Sequence, residues 1–436
     1  MYVGDLKVLE SEIAAVQNNA PQYVFPDFAA IIHTPKIDIN IDYLLKITNE
    51  RNYQKDLAEN YVVDFIVSLG TYVEDIFPYK DSLEITIFKN GKPKRFKAVI
   101  MNMERKVDNS LISGATRDDL DKLDVVRIKL QCIDPIIMVL KQLLISGIYR
   151  DITLDKLIAG LHGQSLSTAK ISGKPIKHKI SIKELNNKAQ YKHVVIPTNT
   201  KLAKLVTYLQ TGDYGLYNGD AGYFVYRNFN DDTYNFYVYP MYDYTRYEKE
   251  KDAKLMLLDS RYYQTNFTDL DLYYDSKANA YKIPVSNIDI KNKGVRPLFD
   301  TGDTIYEMDP DITVDPNSIA VSDTDVTYDT YGTINEYRVR PDVDGLHSRV
   351  PTDWDDNVFK YRSGLFLLME NVAMFTLPLI DDTPLKPGML VKYMYARKDT
   401  TNVLRGVLQY VNTEYNIINK TTSTVLTLVL EREVVK

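Results

Sequence analysis

The sequence predicts a mainly β, multi-domain α+β chain, and three observations carry that expectation. The stretch Pro384 to Arg432 holds three runs of alternating apolar and polar or β-branched residues separated by polar turns. Runs of the same kind recur near the N-terminus, between Ala29 and Ile133, while the clearest helical spacing lies in the middle of the chain. A length of 436 residues exceeds one ordinary core, so two or three domains are expected.

Taken in order, Ala29–His33 and Lys36–Ile41 read as strands, the second by strict alternation, and Asp64–Leu69 as the next. Tyr72 to Tyr79 reads as a short helical excursion ending near Pro78. Ser82–Phe88 and Arg95–Ile100 form a hairpin around Lys89–Lys92, because Asn90-Gly91 is a dipeptide that accepts positive φ. Asn102 to Leu123 is polar, carries Gly114, and reads as a long loop before the strand Val125–Ile133.

The middle differs. Asp151–Leu161 has helical spacing with Thr153 near its N-cap, and Gly163–Lys179 reads as a small, polar, basic surface loop. Thr198 or Asn199 is placed to cap a second helix, Lys201–Leu209. Gly222–Phe229 and Tyr234–Tyr239, joined by Asn230–Thr233, make a Tyr-rich hairpin. Beyond it, Tyr281–Val285 is a strand, and an acidic, Pro-containing insert from Asp300 to Asp329 is expected outside the core. In the last module, Pro387 and Gly388 make a turn, followed by strands over Met389–Tyr395, Leu404–Val411 and Thr424–Leu430.

Composition narrows the function classes. Hydrophobic content of 44% and charged content of 26% are those of a globular protein. The 34 Tyr, against 14 Phe and 1 Trp, suit half-buried strands and wet interfaces, although the codon bias of a low-GC genome gives the same excess. A net charge of −6 argues against a whole-surface nucleic-acid binder and suits a surface that DNA slides past. The lone Cys132 excludes an intrachain disulfide or multi-thiolate metal site and reads as a small buried hydrophobe. The N-terminus shows no secretory signal, and the most apolar window, Gly364–Ile380, is interrupted by Glu370 and Asn371, so the expectation is a soluble cytoplasmic product without membrane insertion.

No constellation of residues points to catalysis, a cofactor or a metal. Asp309–Asp315 spaces oxygen ligands every second residue but lacks the glycine and terminal glutamate of a calcium loop. His33, His162, His178, His193 and His347 show no metal spacing. A Cys132–His162 nucleophile pair would have to be made by folding, and nothing flanking Cys132 activates a thiolate. Ser165, in His162-Gly-Gln-Ser165, lacks the closing glycine of a nucleophile elbow. No phosphate-cradling glycine loop is present. The basic stretch Lys170–Lys192, with Lys170, Lys174, Lys177, His178, Lys179, Lys183, Lys188 and Lys192, reads as a solvated face rather than a phosphate site, because it has no arginine. The row Tyr234, Phe236 and Val238, with Tyr237 and Tyr239 opposite, reads as strand packing ahead of a glycan or base platform.

Several segments, in order, resemble the baseplate hub family of contractile phage tails, the T4 hub-like proteins. They are Asp64–Ile87, Val125–Pro135, Tyr149–Leu157, Lys201–Leu209 leading into the Phe224–Tyr239 hairpin, and Leu385–Val391 with Gly406–Val411 and Leu426–Glu431. The insert from Asp300 to Asp329 and the segment on to Trp354 depart from that pattern, and no fused lysozyme or peptidase stretch is present. The resemblance implies two tube-like antiparallel β-barrel domains, residues 1–130 and 254–436, the second with an acidic insert near 300–360. Between them it implies a mixed α/β domain, 131–253, with two helices and the Tyr-rich hairpin. It further implies a non-enzymatic homotrimer in the distal tail of a virion, assembled in the host cytoplasm, between a hexameric tail tube protein and a central spike protein. Tape-measure protein and DNA would pass through its lumen, the DNA without specific binding, and baseplate wedge proteins would surround it. Two readings from other classes compete: a cell-wall or glycan-processing enzyme using carboxylates of the insert, and a monomeric carbohydrate-binding module using the Tyr hairpin.

Overall fold

The structure, a computed structural model, describes residues 2–104, 125–292 apart from 212–213, 218–219, 230–231, 262, 264–269 and 287, the short strands Phe299–Asp300 and Ile305–Tyr306, and 371–431. The expected loop Asn102–Leu123 lies outside these residues beyond Glu104. The calcium-like run Asp309–Asp315, His347 and the insert Asp300–Asp329, apart from those two short strands, also lie outside them.

The N-terminal elements are β1 (Tyr2–Asp5), α1 (Leu6–Asn19), β2 (Phe28–His33), β3 (Asp38–Asn40), β4 (Tyr43–Asn52), β5 (Asn60–Ser68), β6 (Glu84–Lys89), β7 (Lys92–Glu104) and β8 (Val125–Ile133). From β4 onward they pair antiparallel in the order β4-β5-β8-β7-β6-β2-β3. Asn90 and Gly91 both take positive φ, 53° and 74°, as the two-residue turn between β6 and β7 requires. Alternation buries Ile85 and Ile87 with Phe96, Ile128 and Leu130 on one face. Tyr72–Tyr79 is helical, as its sequence predicts, but the helical turns begin earlier, at Leu69, a residue expected in the preceding strand, and run through successive α, π and 3₁₀ turns.

The middle elements are α2 (Pro135–Gln142), β9 (Leu144–Thr153), α3 (Leu154–Ser167), β10 (Lys170–Ile171), β11 (Lys174–Pro175), β12 (His178–Ile182), β13 (Gln190–Lys201), α4 (Leu205–Thr211), β14 (Ala221–Arg227) and β15 (Tyr234–Pro240). Three expectations need correction. Helix α3 continues through Gly163 to Ser167, and the expected loop folds into the small hairpin β10–β11 and the strand β12. Neither Thr198 nor Asn199 caps a helix: both belong to β13, which pairs with β9, and Asn199 sits at φ 66° in its bulge. Thr153 does occupy the N-cap of α3, but its hydroxyl makes no capping bond.

The last elements are β16 (Lys254–Asp259), β17 (Tyr273–Asp275), β18 (Ala280–Val285), β19 (Ile288–Asn292), β20 (Phe299–Asp300), β21 (Ile305–Tyr306), β22 (Asn371–Pro378), β23 (Leu390–Arg397), β24 (Thr400–Asn416) and β25 (Thr421–Leu430). The polar turns predicted on either side of β24 shrink, because its ends are absorbed into pairing with β23 and β25. One edge of β24 pairs with β23 and then β4, the other with β1 and then β25. The register against β25 shifts between Leu408 and Tyr410, where on the opposite edge pairing passes from β23 to β4.

The fold is therefore mainly β and α+β, but its barrels are not separate closed cylinders. A single 16-stranded sheet runs from β17 to β3 through the β24–β4 pairing, with parallel neighbours at β16–β18 and β16–β23. The N-terminal part still curls strongly: Phe28 on β2 reaches Tyr415 on β24, with ring centroids 4.9 Å apart. Closure gives way to continuity because β24, 17 residues long, is long enough to serve both parts.

The Tyr-rich hairpin docks onto this sheet through Tyr239, whose ring lies in the space that a Cβ would occupy at both Gly222 and Gly388, each 2.3 Å from ring atoms. Its hydroxyl donates to the carbonyl of Tyr53 at 3.0 Å. Gly222→Ala is expected to lower stability by about 1–3 kcal/mol through overpacking. Gly163→Ala, in the open face of α3, should raise it by about 0.5–1 kcal/mol. Urea unfolding of the two variants checks both signs.

Candidate functional site

The polar chemistry of the chain converges where β4, β24 and the loop after β22 meet. Arg51 on β4 is 1% exposed, and its guanidinium reaches Asp382 Oδ2 at 2.6 Å and the carbonyl of Leu385 at 2.9 Å. Asp382 also accepts from the hydroxyls of Thr413 and Tyr415, both at 2.8 Å. Lys89, at the end of β6, donates to the Tyr415 hydroxyl at 3.1 Å and stands 3.7 Å from Asp382. Burial alone would raise the Asp382 pKa, but Arg51, Lys89 and the two hydroxyl donors outweigh it and hold the carboxyl at about 2.

A second buried group adjoins the first. Lys94 on β7, 2% exposed, pairs with Glu59 and donates to the carbonyl of Arg227 at 2.6 Å. Its ammonium lies 5.3–5.7 Å from the ring centres of Tyr61, Phe96, Tyr226 and Phe229. Arg227 stacks over Tyr234 at 5.0 Å and faces Asp134 at 3.4 Å. Burial first, then repulsion from Arg227 and Arg51, pushes the Lys94 pKa well down. A polar cavity of about 470 Å³ opens beside these groups, walled by β4, β5, the β6–β7 hairpin, the end of β14 and the segments around Asp271 and Asp382.

These residues were not legible as a site. Arg51, Lys94 and Arg227 are scattered through the sequence without a motif, and the only signal is a charged residue inside a strand: Arg51 near the end of β4, Lys94 among the apolar positions of β7.

The residues singled out from sequence go elsewhere. Cys132 is fully buried with its thiol pointing to the carbonyl of Leu130 at 3.7 Å, and burial pushes its pKa up, so it is an inert core thiol. His162 lies in a different core cluster from Cys132. Its Nδ1 pairs with the Ile158 carbonyl and its Nε2 with the Tyr223 hydroxyl, each at 2.8 Å, and burial lowers its pKa to about 4. Ser165 sits within α3, not on a strand-to-helix elbow. His33 bonds Asp38 and Thr86, His178 approaches the Ile176 carbonyl, and His193 is exposed on β13. Among the described residues no group of three His, Cys, Asp or Glu side chains is placed to hold a metal ion.

The basic stretch is spread over β10 to β13 with most of its lysines exposed, while Lys183 pairs with Glu250 and Asp252, and Lys188 with Glu184. Tyr234, Phe236, Val238 and Tyr239 are buried, so the hairpin offers no exposed aromatic platform. A dozen tyrosines are buried among the described residues. Many of them spend their hydroxyls on internal acceptors, which accounts for much of the Tyr excess without a ligand.

No protein-family model matches the sequence, and no curated protein is a significant match to it. Among solved structures, the chain is similar to a 43 kDa tail protein of prophage MuSo2 from Shewanella oneidensis, at 10% identity and a TM-score of 0.46, covering 92% of this chain and 97% of that one. It is similar to a tail protein from Neisseria meningitidis MC58 at 11% identity and a TM-score of 0.44, covering 93% and 96%. A third is the E. coli c3393 protein, a type VI secretion component described as similar to the T4 tail proteins gp27 and gp5, at 8% identity and a TM-score of 0.42, covering 92% and 77%. All three scores lie below 0.5, and the functional reading rests on the chain's own residues. No helix among the described residues is long and apolar enough to cross a membrane.

Two pH windows follow. The depressed pKa of His162 gives stability that is complete above about 6.5 and lost as pH falls towards about 4. The depressed pKa of Asp382 gives stability that is lost only below its ordinary 3.8, as pH falls through about 2. Asp382→Asn, which leaves Arg51 buried without its counter-charge, is expected to cost about 3–5 kcal/mol at neutral pH. Urea midpoints across pH 2–7 for the parent chain and this variant check the order of the two steps and the size of the loss.

Proposed function

We propose that this chain is a structural tail protein, a hub that assembles as a homotrimer between a tail tube and a central spike and forms part of the wall of the DNA channel. The observation that carries the reading is the continuous curved sheet in which two β-rich ends, far apart in sequence, share β24. Its charged groups at the junction are paired with one another, as bracing demands, and of the hub-like segments Asp64–Ile87, Val125–Pro135 and the three near the C-terminus fall on that framework. The proposed division of the chain is at residues 1–130, 131–253 and 254–436. Tape-measure and wedge proteins are its further proposed neighbours in the virion.

The surface has a feature suited to self-association. The β9–β13 ribbon buries Ile145, Val194 and Ile196 on one face and exposes Leu144, Ile148 and Val195 on the other. Ile148 and Val195 are direct cross-strand partners, 64% and 45% exposed. The region 131–253 that carries this ribbon holds 16 Lys and Arg against 12 Asp and Glu, while the rest of the chain is acidic overall, with 37 against 47. A second copy therefore presents the complementary charge, as a head-to-tail ring contact needs.

Light scattering of the purified chain, alone and with a candidate spike, tests the proposal. The expected mass is about 150 kDa, three times the 50.2 kDa chain. Ile148→Asp with Val195→Asp should reduce it to a monomer with unchanged circular dichroism. A parent chain that stays monomeric with and without the spike would overturn the hub reading.

A further inference from the structure

We propose that the cavity beside Arg51, Lys94 and Arg227 is a binding site for a small oxyanion, a phosphate- or hydroxycarboxylate-bearing molecule. Its volume of about 470 Å³ lies within the range of small-molecule sites. Three buried or nearly buried cations from β4, β7 and β14 gather at one end of it. Each faces a carboxylate, Asp382, Glu59 or Asp134, yet repulsion from Arg227 and Arg51 still contributes to the depressed pKa of Lys94, and an anion placed among the three would offset it.

Buried donor capacity is left over in the wall. Arg51 Nε and Arg227 Nε are buried and have no partner, and a buried donor without one costs about 1–3 kcal/mol. The acids in the wall are each engaged through at least one carboxylate oxygen. Asp382 is held by Arg51, Thr413 and Tyr415, Asp271 accepts from the backbone N–H groups of Asp381 and Leu272, and Asp381 accepts from Thr383. Asn49 Oδ1 in the wall is an acceptor that is buried without a partner. Two donors and one acceptor match an oxyanion that also carries a hydroxyl, such as hydrogen phosphate or a hydroxy acid. Lys92, exposed at the mouth, would draw the anion in. The site lies inside one chain and does not depend on the assembly proposed above.

Inorganic phosphate and malate, titrated separately into the full chain by calorimetry at fixed ionic strength, test the assignment. One saturable site per chain is expected for at least one of them, and which one identifies the ligand class. Arg227→Gln should weaken binding at least tenfold, and Lys92→Gln, on the exposed rim, about two- to threefold. If Arg227→Gln does not fold, the parent titration and Lys92→Gln decide. Absence of saturable heat with both anions would mean a cavity filled by water alone. Unchanged affinity in the variants would place the anion elsewhere. Either result overturns the proposal.

Discussion

The buried pair Arg51–Asp382 ties the two ends of the chain together. One partner lies on β4, the other in the loop after β22, 331 residues away. Taking both charges out of water is unfavourable unless further hydrogen bonds compensate, and here all but the Arg51 Nε donor are met: two carbonyl oxygens on the arginine side, two hydroxyls on the carboxylate side. Those hydroxyls come from Thr413 and Tyr415 on β24, the strand that also pairs with β4. The pair, the shared strand and the loop therefore specify one another, and an alternative register of β24 on β4 would leave buried charge unmatched.

The middle of the chain is fastened by shape instead of charge. Tyr239 fits between two glycines, one on its own hairpin and one in the Pro384–Gly388 turn. Gly388 is doubly constrained, because its φ of 66° already favours glycine before the ring contact is considered. The turn that looks from sequence like a simple loop closure is thus also a docking surface for a segment some 150 residues away. The same joint brings Arg227 and Tyr226 to the cavity, so the packing of the hairpin and the composition of the cavity wall are set together.

A polar junction of this kind suits the load-carrying wall proposed above. It makes relative movement of the two β-rich parts costly, since any shift separates buried ions. The exposed apolar face of the β9–β13 ribbon lies apart from that junction, where association would not disturb it.

Local pattern was enough to determine much of this chain. Alternation set the strands β6, β8, β14 and β15 close to their observed limits, Asn90-Gly91 set the β6–β7 turn, and the apolar surroundings of Cys132 marked it as core. These features depend on neighbours within a few residues, which is the range over which period and turn chemistry act. Pairing partners were decided by the tertiary structure alone. The extension of β24 across two sets of neighbours, the absorption of Thr198 and Asn199 into β13, and the meeting of Arg51, Lys94, Arg227 and Asp382 all depend on residues distant in sequence. An isolated arginine or lysine in a strand reads as a solvent-facing residue until a counter-charge from elsewhere in the chain arrives to make its burial possible.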